Sequence, residues 1–486
     1  MLQIPRRLLA PACAVLVLVL AGCGSQLDPN TVAQAGGTGV GTGGGTAAGG
    51  GTTGGGLDGS VPGSTGGSGG GTGTTTTGGG TTTTGGSGGG DAPQGTGDNA
   101  ATGSAKAGNC AGFKNQTGIT DDTITLGNSS DISGPVPGLF ESAQEGAKAY
   151  VAYFNSTSDI CGRKLQLNAY DSRTDAAADQ QAYSKGCDET FAMIGSMSAF
   201  DSGGASTAQS CGLPDIRTAA TTEERLSCTT CFAAEAANSQ EFQNSVPDFV
   251  LKNYGDAGQH AAMLYINAGA AAENGKTQAA AMTKRGMHFD YVQGIDISEF
   301  NYAPYVQQMK DKGIEYVQMI ASTAQFTRLA DAMKQQGFKP KIFMIDPTAY
   351  NPDYVSSGGD AVDGTTVFIN FTPFEEASSN KELQLYLSWL QQVKPGATPS
   401  FFGLFAWSAA RLFVEQATKL GGKLTRSSLI SSLKSVNNWT ANGLHAPQPV
   451  GSKQAGPCWR FIRLEGGKWS PVGGTKYQCS GVTSVG

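Results

Sequence analysis

The feature that most constrains the fold is an alternation of short strand-like runs with helical runs. The run Thr123–Leu126 is typical of a buried strand, and Glu141–Phe154 places Ala, Tyr, Val and Phe on one helical face. The series continues with predicted strands at Lys164–Tyr170, Phe191–Ile194 and Asp215–Arg217 and predicted helices at Ala176–Lys185 and Gly204–Ser210. This strand–helix order predicts a parallel sheet with helices on both faces.

A second series of the same kind follows a predicted helix near Phe242–Tyr254. Its predicted strands are Ala261–Ile266, Phe289–Val292, Tyr316–Ile320, Lys341–Ile345 and Thr366–Ile369, and its predicted helices are Lys276–Arg285, Ala303–Lys312, Phe326–Gln336, Tyr354–Gly358, Ser400–Leu420 and Thr425–Leu433. Cys458–Leu464 and Lys468–Val472, joined by a Glu-Gly-Gly turn, predict a terminal hairpin. The expected fold class is therefore α/β, with two doubly wound parallel-sheet lobes, a hinge and a cleft between the lobes.

The N-terminal segment has the features of an export signal. Arg6 and Arg7 precede an apolar run, 12–20, that is too short to span a bilayer as a mature helix. Leu20-Ala21-Gly22-Cys23 resembles the bacterial lipobox, in which the peptide is cut before the cysteine and its thiol carries a lipid. We expect residues 1–22 to be a lipoprotein signal peptide and Cys23 to be lipidated, which places the protein on the extracytoplasmic face of the cell membrane. An ordinary secretory signal with a chance cysteine is the alternative.

Residues 23–107 have a composition that cannot form a core. They are mostly Gly, Thr and Ser with only isolated branched apolar residues, so a disordered tether is expected. A flexible coil of this size averages roughly 50 Å from end to end. The remaining residues, 108–486, are enough for two lobes: a first of about 108–240 plus part of 370–430, and a second of about 255–370 plus the C-terminal segment.

Charge and cysteine content limit the classes of function that are expected for the chain. The net charge is −6 and there is no basic run, so no nucleic-acid partner is expected. Apart from Cys13 and Cys23, eight cysteines remain, and an even number in an exported chain predicts disulfides. The pair Cys228 and Cys231 is alternatively a redox or metal pair. The chain has three isolated histidines, however, and we expect neither a metal nor a cofactor.

Two loops that follow predicted strands are candidates for ligand binding, because ligands of open α/β sheets bind outside the carboxyl ends of the strands. The loop Gly195-Ser196-Met197-Ser198-Ala199 and the loop Thr218-Ala219-Ala220-Thr221-Thr222 offer N–H and hydroxyl donors to a carboxylate. Helix capping by the same Ser and Thr side chains is the alternative.

The chain resembles the type I periplasmic binding proteins of the leucine/isoleucine/valine-binding branch. The resemblance covers roughly 119–472 and is strongest at 119–145, at Gly162–Ser172 and at Phe191–Thr222. Ser133-Gly134-Pro135 after the first strand and a Gly-x-x-x-Ser turn before a helix are typical of that family. The individual motifs are loose, and their order and spacing carry the resemblance.

The resemblance implies a set of binding residues. By it, Ser196 and Ser198 match the family's serine loop, Ala219 and Thr221 match its Ala/Thr loop, and Asp346 lies near its acidic position. The second lobe departs from the pattern, since tyrosines are expected where this chain has Asn267–Ala272 and Ala321-Ser322-Thr323. The candidate set is completed by Phe140, Ala272 and Ser322. The departures leave the binding role intact but place branched-chain amino acid specificity in question.

The resemblance also implies a function and partners. The chain is expected to be a monomeric, non-enzymatic substrate-binding lipoprotein of an ABC importer, capturing a carboxylate-bearing solute such as an amino acid or amide and delivering it to ABC permease subunits. A sensor that passes its occupancy to a membrane receptor would share the fold. An exported hydrolase is the third reading, although residues 108–486 contain no Gly-x-Ser-x-Gly elbow.

Four disulfides are expected. The bridge Cys187–Cys211 is the best supported, because a similar bridge occurs in the family that the chain resembles. The others are a clip on the terminal hairpin, an anchor for the entry into the fold and a local loop: Cys458–Cys479, Cys110–Cys161 and Cys228–Cys231.

Overall fold

The computed structural model describes residues 108–486, which lie within one compact unit of the chain. The predicted signal peptide 1–22, the lipidation site Cys23 and the predicted tether 23–107 lie outside the described residues. Among the residues described, no helix combines the length and apolar character needed to cross a membrane.

The first sheet has five strands, all parallel. They are β1 Thr123–Ser130, β2 Lys164–Asp171, β3 Ala192–Ile194, β4 Asp215–Ala219 and β5 Cys231–Glu235. Their spatial order is β2-β1-β3-β4-β5, so the chain winds outward in both directions from β1 and β3. Strands β3, β4 and β5 are buried along their whole length, as expected for a sheet covered on both faces.

The second sheet combines a parallel part with the terminal hairpin. Its strands are β7 Ala261–Ile266, β8 Phe289–Ile295, β9 Tyr316–Ile320, β10 Ile342–Ile345, β11 Thr366–Ile369, β12 Cys458–Glu465, β13 Lys468–Val472 and, paired with β12, β14 Gln478–Cys479. The order is β13-β12-β11-β10-β9-β7-β8, and β12 joins β11 in antiparallel register. A separate ribbon pairs β6 Glu241–Gln243 with β15 Val482–Ser484.

Twelve α-helices lie in the described part of the chain: α1 Glu141–Thr157, α2 Ala176–Glu189, α3 Ala205–Ser210, α4 Glu223–Ser227, α5 Ser245–Tyr254, α6 Gly269–Lys284, α7 Ala303–Asp311, α8 Thr323–Gln335, α9 Pro352–Gly358, α10 Lys381–Val393, α11 Phe401–Leu420 and α12 Arg426–Leu433. The longest, α11, is buried along most of its length and packs on α1, β4 and β5. The chain therefore returns to the first sheet after it has built most of the second.

The predicted α/β architecture of two doubly wound sheets is confirmed, with corrections to individual elements. Four short strands and two helices were not predicted from the sequence: β5, β6, β14, β15, α4 and α10. The predicted helix Lys276–Arg285 begins earlier in the structure, since α6 starts at Gly269. The run Gly-Ala-Ala-Ala-Glu favours helix, because Ala has the highest helix propensity.

Residues 108–486 contain four disulfide bonds, Cys110–Cys161, Cys187–Cys211, Cys228–Cys231 and Cys458–Cys479. These are the pairs that the sequence analysis expects. The last of them joins β12 to β14, one strand beyond the hairpin that it was expected to close. Cys228 and Cys231 form a disulfide in this structure, which agrees with the local bridge expected for these two cysteines.

Candidate functional site

A large cleft lies between the two sheets. Its volume is about 1310 Å³ with its open mouth included. Ala219 and Glu235 end two strands of the first sheet, Ile266 and Ile320 end two strands of the second, and all four line this cleft. The carboxyl ends of both sheets thus face the same space, where the doubly wound topology predicts a ligand site.

The serine loop, Gly195–Ala199, lies behind the wall of the cleft that the first lobe forms. Ser196 Oγ accepts a hydrogen bond from Ser129 N at 3.0 Å, and Ser198 Oγ donates to Asp131 Oδ1 at 3.0 Å. Both serines are fully buried and neither lines the cleft, whereas Met197 and Ala199 of the same loop do. The two hydroxyls are therefore used within the first lobe.

Asp131, which the sequence analysis did not select, organises this loop. Its carboxylate also accepts hydrogen bonds from Ala199 N at 2.8 Å, Thr174 N at 2.9 Å and Ser172 Oγ at 2.6 Å. Burial raises the pKa of Asp131, which these hydrogen bonds partly offset. Its position directly after the first buried strand is the sequence signal by which it could have been selected.

The Ala/Thr loop does reach the cleft. Ala219 and Thr221 both line it, and Thr221 Oγ1 is buried without a hydrogen-bond partner in the described part of the chain. Asp201 fixes the loop from below, accepting from Thr221 N at 3.3 Å and from Thr222 Oγ1 at 2.6 Å. A rigid loop with one unpaired hydroxyl is a hydrogen-bonding group held ready for a ligand.

A buried charge cluster holds Asp201 and the adjoining strand in place. Arg225 pairs with Asp179 at 2.9 Å and with Asp215 at 2.8 Å, and all three side chains are fully buried. Arg217 Nε donates to Ala219 O at 3.3 Å. These groups lie behind the loop and act on a ligand only by positioning Ala219 and Thr221.

Helix α6 forms the opposite wall and also touches the first lobe. Ala270 and Ala271 line the cleft, whereas the candidate Ala272 does not, because successive residues of a helix point about 100° apart. Ala270 N donates to Ala199 O at 2.9 Å across the cleft. A Cβ on Gly269 would lie 2.2 Å from that oxygen, so only glycine permits this approach of the two lobes.

Two further candidates of the second lobe line the cleft. Ser322 caps α8, and its Oγ lies 2.9 Å from Gln325 Oε1. Asp346 Oδ1 accepts from Thr348 N at 2.8 Å. Burial raises the pKa of Asp346 to about 6.

Aromatic side chains of the first lobe close one end of the cleft. The candidate Phe140 packs edge-on against Phe402 with ring centroids 4.6 Å apart, and both rings line the cleft. Phe405 and Trp407, on the same helix as Phe402, are fully buried in the core. The long helix thus contributes an aromatic wall, and its remaining aromatic residues stabilise the lobe.

Glu235 and Gln243 are among the polar cleft residues that were not predicted from the sequence. Glu235, at the end of β5, lines the cleft and is 5% exposed; Asn370 Nδ2 donates to its Oε1 at 3.3 Å. Burial raises the pKa of Glu235 to about 7, and the nearby Asp346 adds to this effect. Gln243 on β6 is 4% exposed, and its Nε2 has no partner among residues 108–486.

The comparisons agree with this geometry. The family model described as periplasmic binding protein matches residues 123–468, most of the chain. The chain belongs to the periplasmic binding protein family. No curated protein matches it in sequence.

Solved structures share the fold of this periplasmic binding protein at low sequence identity. A fatty acid ABC transporter substrate-binding protein from Thermomonospora curvata is 17% identical with a TM-score of 0.65, over 76% of this chain and 95% of that one. A leucine-binding protein from Thermotoga maritima is 13% identical with a TM-score of 0.62, over 75% and 99%. A solute-binding protein from R. palustris in complex with 4-hydroxybenzoate is 15% identical with a TM-score of 0.60, over 74% and 98%.

Proposed function

We propose that this protein is the extracytoplasmic substrate-binding component of an ABC importer and has no catalytic role. One observation carries the proposal: the carboxyl ends of two doubly wound sheets face a single large cleft. Family membership supports it, as do the ABC transporter substrate-binding proteins among the solved structures of the same fold. In this proposal a solute docks in the cleft, and the closed lobes are recognised by permease subunits.

The contacts between the lobes support a closing mechanism. Ala199 O and Ala270 N meet at 2.9 Å, and Glu273 of α6 accepts from Glu223 N of the first lobe at 3.2 Å. Both contacts join surfaces that a hinge motion would separate. A ligand that touches both walls would favour the closed arrangement, because it binds that arrangement better than the open one.

The first prediction tests the binding function. A thermal-shift screen of amino acids, short amides, aromatic acids and small peptides should yield a hit, since a ligand at a hundred times its dissociation constant adds about 2.7 kcal/mol to the free energy of unfolding. The carboxylate-bearing class that the sequence favours is one arm of this screen. Thr221→Val should weaken the hit by about 1–3 kcal/mol, because it leaves a buried ligand atom unpaired.

Thr222→Val is the matched control, because the Thr222 hydroxyl bonds to Asp201 and does not line the cleft. It should lower the stability of the protein without a selective loss of ligand affinity. Conversion of a hit into product would contradict the proposal and favour the hydrolase reading.

We further propose that residues 1–22 are a signal peptide, that Cys23 carries the lipid and that residues 23–107 tether the binding region. Cys23→Ser should then release the protein from membranes, because a lipid chain is the only membrane contact in this proposal. Fractionation of cells that express the wild-type chain or the variant measures this. Equal membrane association of the two chains would contradict the anchor, and Cys13→Ser, within the signal peptide, should change nothing.

A further inference from the structure

The charged groups that line the cleft are all acidic. Glu235, Glu241 and Asp346 line it, and no Lys, Arg or His of residues 108–486 does. Lys394, in the adjoining pocket at the mouth, pairs with Glu141 at 2.8 Å and also with Glu145. A ligand carboxylate in the cleft would therefore meet acidic groups with no cation to offset its charge, which disfavours binding.

Glu235 is the acid with the longest hydrogen bond to its protein partner. Glu241 Oε2 accepts from Ala455 N at 2.8 Å, and Asp346 Oδ1 accepts from Thr348 N at 2.8 Å. Glu235 receives a single, long hydrogen bond from Asn370. A buried carboxyl with so little support is costly unless a ligand supplies a donor.

Two buried polar groups point independently to a ligand. Thr221 Oγ1 and Gln243 Nε2 have no partner in the described part of the chain, and both residues line the cleft. Thr221 follows β4 by two residues, and Ala219 at the end of β4 pairs in register with Glu235 on β5. The hydroxyl and the carboxyl therefore belong to neighbouring strand ends of the same wall.

The rest of the lining is mainly apolar. It is formed largely by aliphatic and aromatic side chains, among them Leu139, Phe140, Ile266, Ile320, Phe402 and Trp459. Such a lining favours a ligand that buries a hydrocarbon or aromatic body.

We propose that the ligand of this cleft is a predominantly apolar amine, whose ammonium group donates to Glu235 and to Thr221 Oγ1. An uncharged oxygen on the same ligand would accept from Gln243 Nε2. This inference rests on the proposed binding function and replaces the carboxylate head group that the sequence favours. An amine offsets the acidic lining, whereas the serine hydroxyls expected to hold a carboxylate are used inside the first lobe.

Three probes that share one body and differ in the head group test the inference: phenylpropylamine, phenylpropanol and phenylpropanoate. On the full chain, isothermal titration calorimetry should show the amine binding at least about tenfold more tightly than the alcohol, and the carboxylate binding most weakly. Glu235→Gln should weaken the amine by about tenfold and leave the affinity for the alcohol unchanged. Glu315→Gln, which replaces an acid outside the cleft that pairs with Lys341, should change neither affinity.

Tightest binding by the carboxylate would overturn the inference and leave the proposed function standing. An amine preference that persists in Glu235→Gln would also overturn it. If the Glu235 variant does not fold, Asp346→Asn tests whether the acidic lining selects the amine, because Asp346 is an acid that lines the cleft from the second lobe. Failure of the amine to bind overturns the inference, and failure of the wider screen as well would count against the proposed function.

Discussion

Replacing Ala271 by tryptophan is expected to lower the affinity of a cleft ligand by roughly a hundredfold or more. Ala271 is half-buried on α6 and lines the cleft opposite the first lobe. An indole at this position would occupy the space between the walls and prevent their simultaneous contact with a ligand. Titration of phenylpropylamine, or of any hit from the screen, into the variant measures the loss.

Ala280→Trp is the matched control on the same helix. Ala280 is exposed and does not line the cleft, so the same side chain is added without blocking the site. Both variants should fold with similar melting temperatures, since neither replaces a fully buried residue. An unchanged affinity in the Ala271 variant would show that ligands bind elsewhere.

Glu235→Gln is expected to raise the free energy of unfolding at pH 8 by about 1–3 kcal/mol, which is up to the full effect of the pKa shift. Burial raises the pKa of Glu235 from 4.5 to about 7. Between these two pH values the folded protein therefore keeps a proton that the unfolded chain has lost. The contribution of this group is fully present below pH 4.5 and is lost as the pH rises to about 7. Asp346, whose pKa burial raises from 3.8 to about 6, adds to the same decline.

Glutamine at position 235 should form hydrogen bonds within the protein even when no ligand is bound. Asn370 Nδ2 already donates to residue 235, and Asn370 Oδ1 has no partner among residues 108–486, so it is available to accept from the new amide. Denaturant unfolding between pH 4.5 and pH 8 should therefore show a smaller loss of stability in the variant. A pH dependence identical to that of the wild-type protein would contradict the assignment of Glu235.

Glu382→Gln provides the contrasting case of a buried acid that has strong partners. Its carboxylate accepts from Arg411 Nη1 at 2.8 Å and from Trp407 Nε1 at 2.7 Å. Removing its charge should destabilise the protein, because Arg411 then keeps a buried charge with less compensation. Opposite signs of the change in the free energy of unfolding for Glu235→Gln and Glu382→Gln would distinguish an acid retained for a ligand from one retained for stability.

Local patterns predicted the regular elements that bury a continuous apolar run. The strands Ala261–Ile266, Tyr316–Ile320 and Thr366–Ile369 have the predicted bounds, because each run is largely apolar and has a polar residue within two positions of each end. The short β6 and β15 were missed because each is three residues long and they pair across more than two hundred positions of sequence. No local pattern encodes such a partner.

The candidate site was predicted only in part, because some of its residues lie on elements that no local pattern identifies. Phe140, Ala219, Thr221, Ser322 and Asp346 line the cleft, as residues at the carboxyl ends of strands or the start of helices should. Whether each of them contacts a ligand stays a prediction. Glu235 and Gln243 were missed because β5 and β6 were not predicted, and their position at the cleft depends on that pairing.

The sequence by itself determined the α/β class, the two sheets and the loops at which to look for a ligand, because each follows from apolar periodicity and chain order. Only the tertiary structure decided which polar groups those loops leave available. Ser196 and Ser198 bond to the backbone of β1 and to Asp131, whereas Thr221 Oγ1 and Gln243 Nε2 have no partner among residues 108–486. The partner of a hydroxyl or amide depends on what the fold brings within about 3 Å of it, and residues distant in sequence supply that partner.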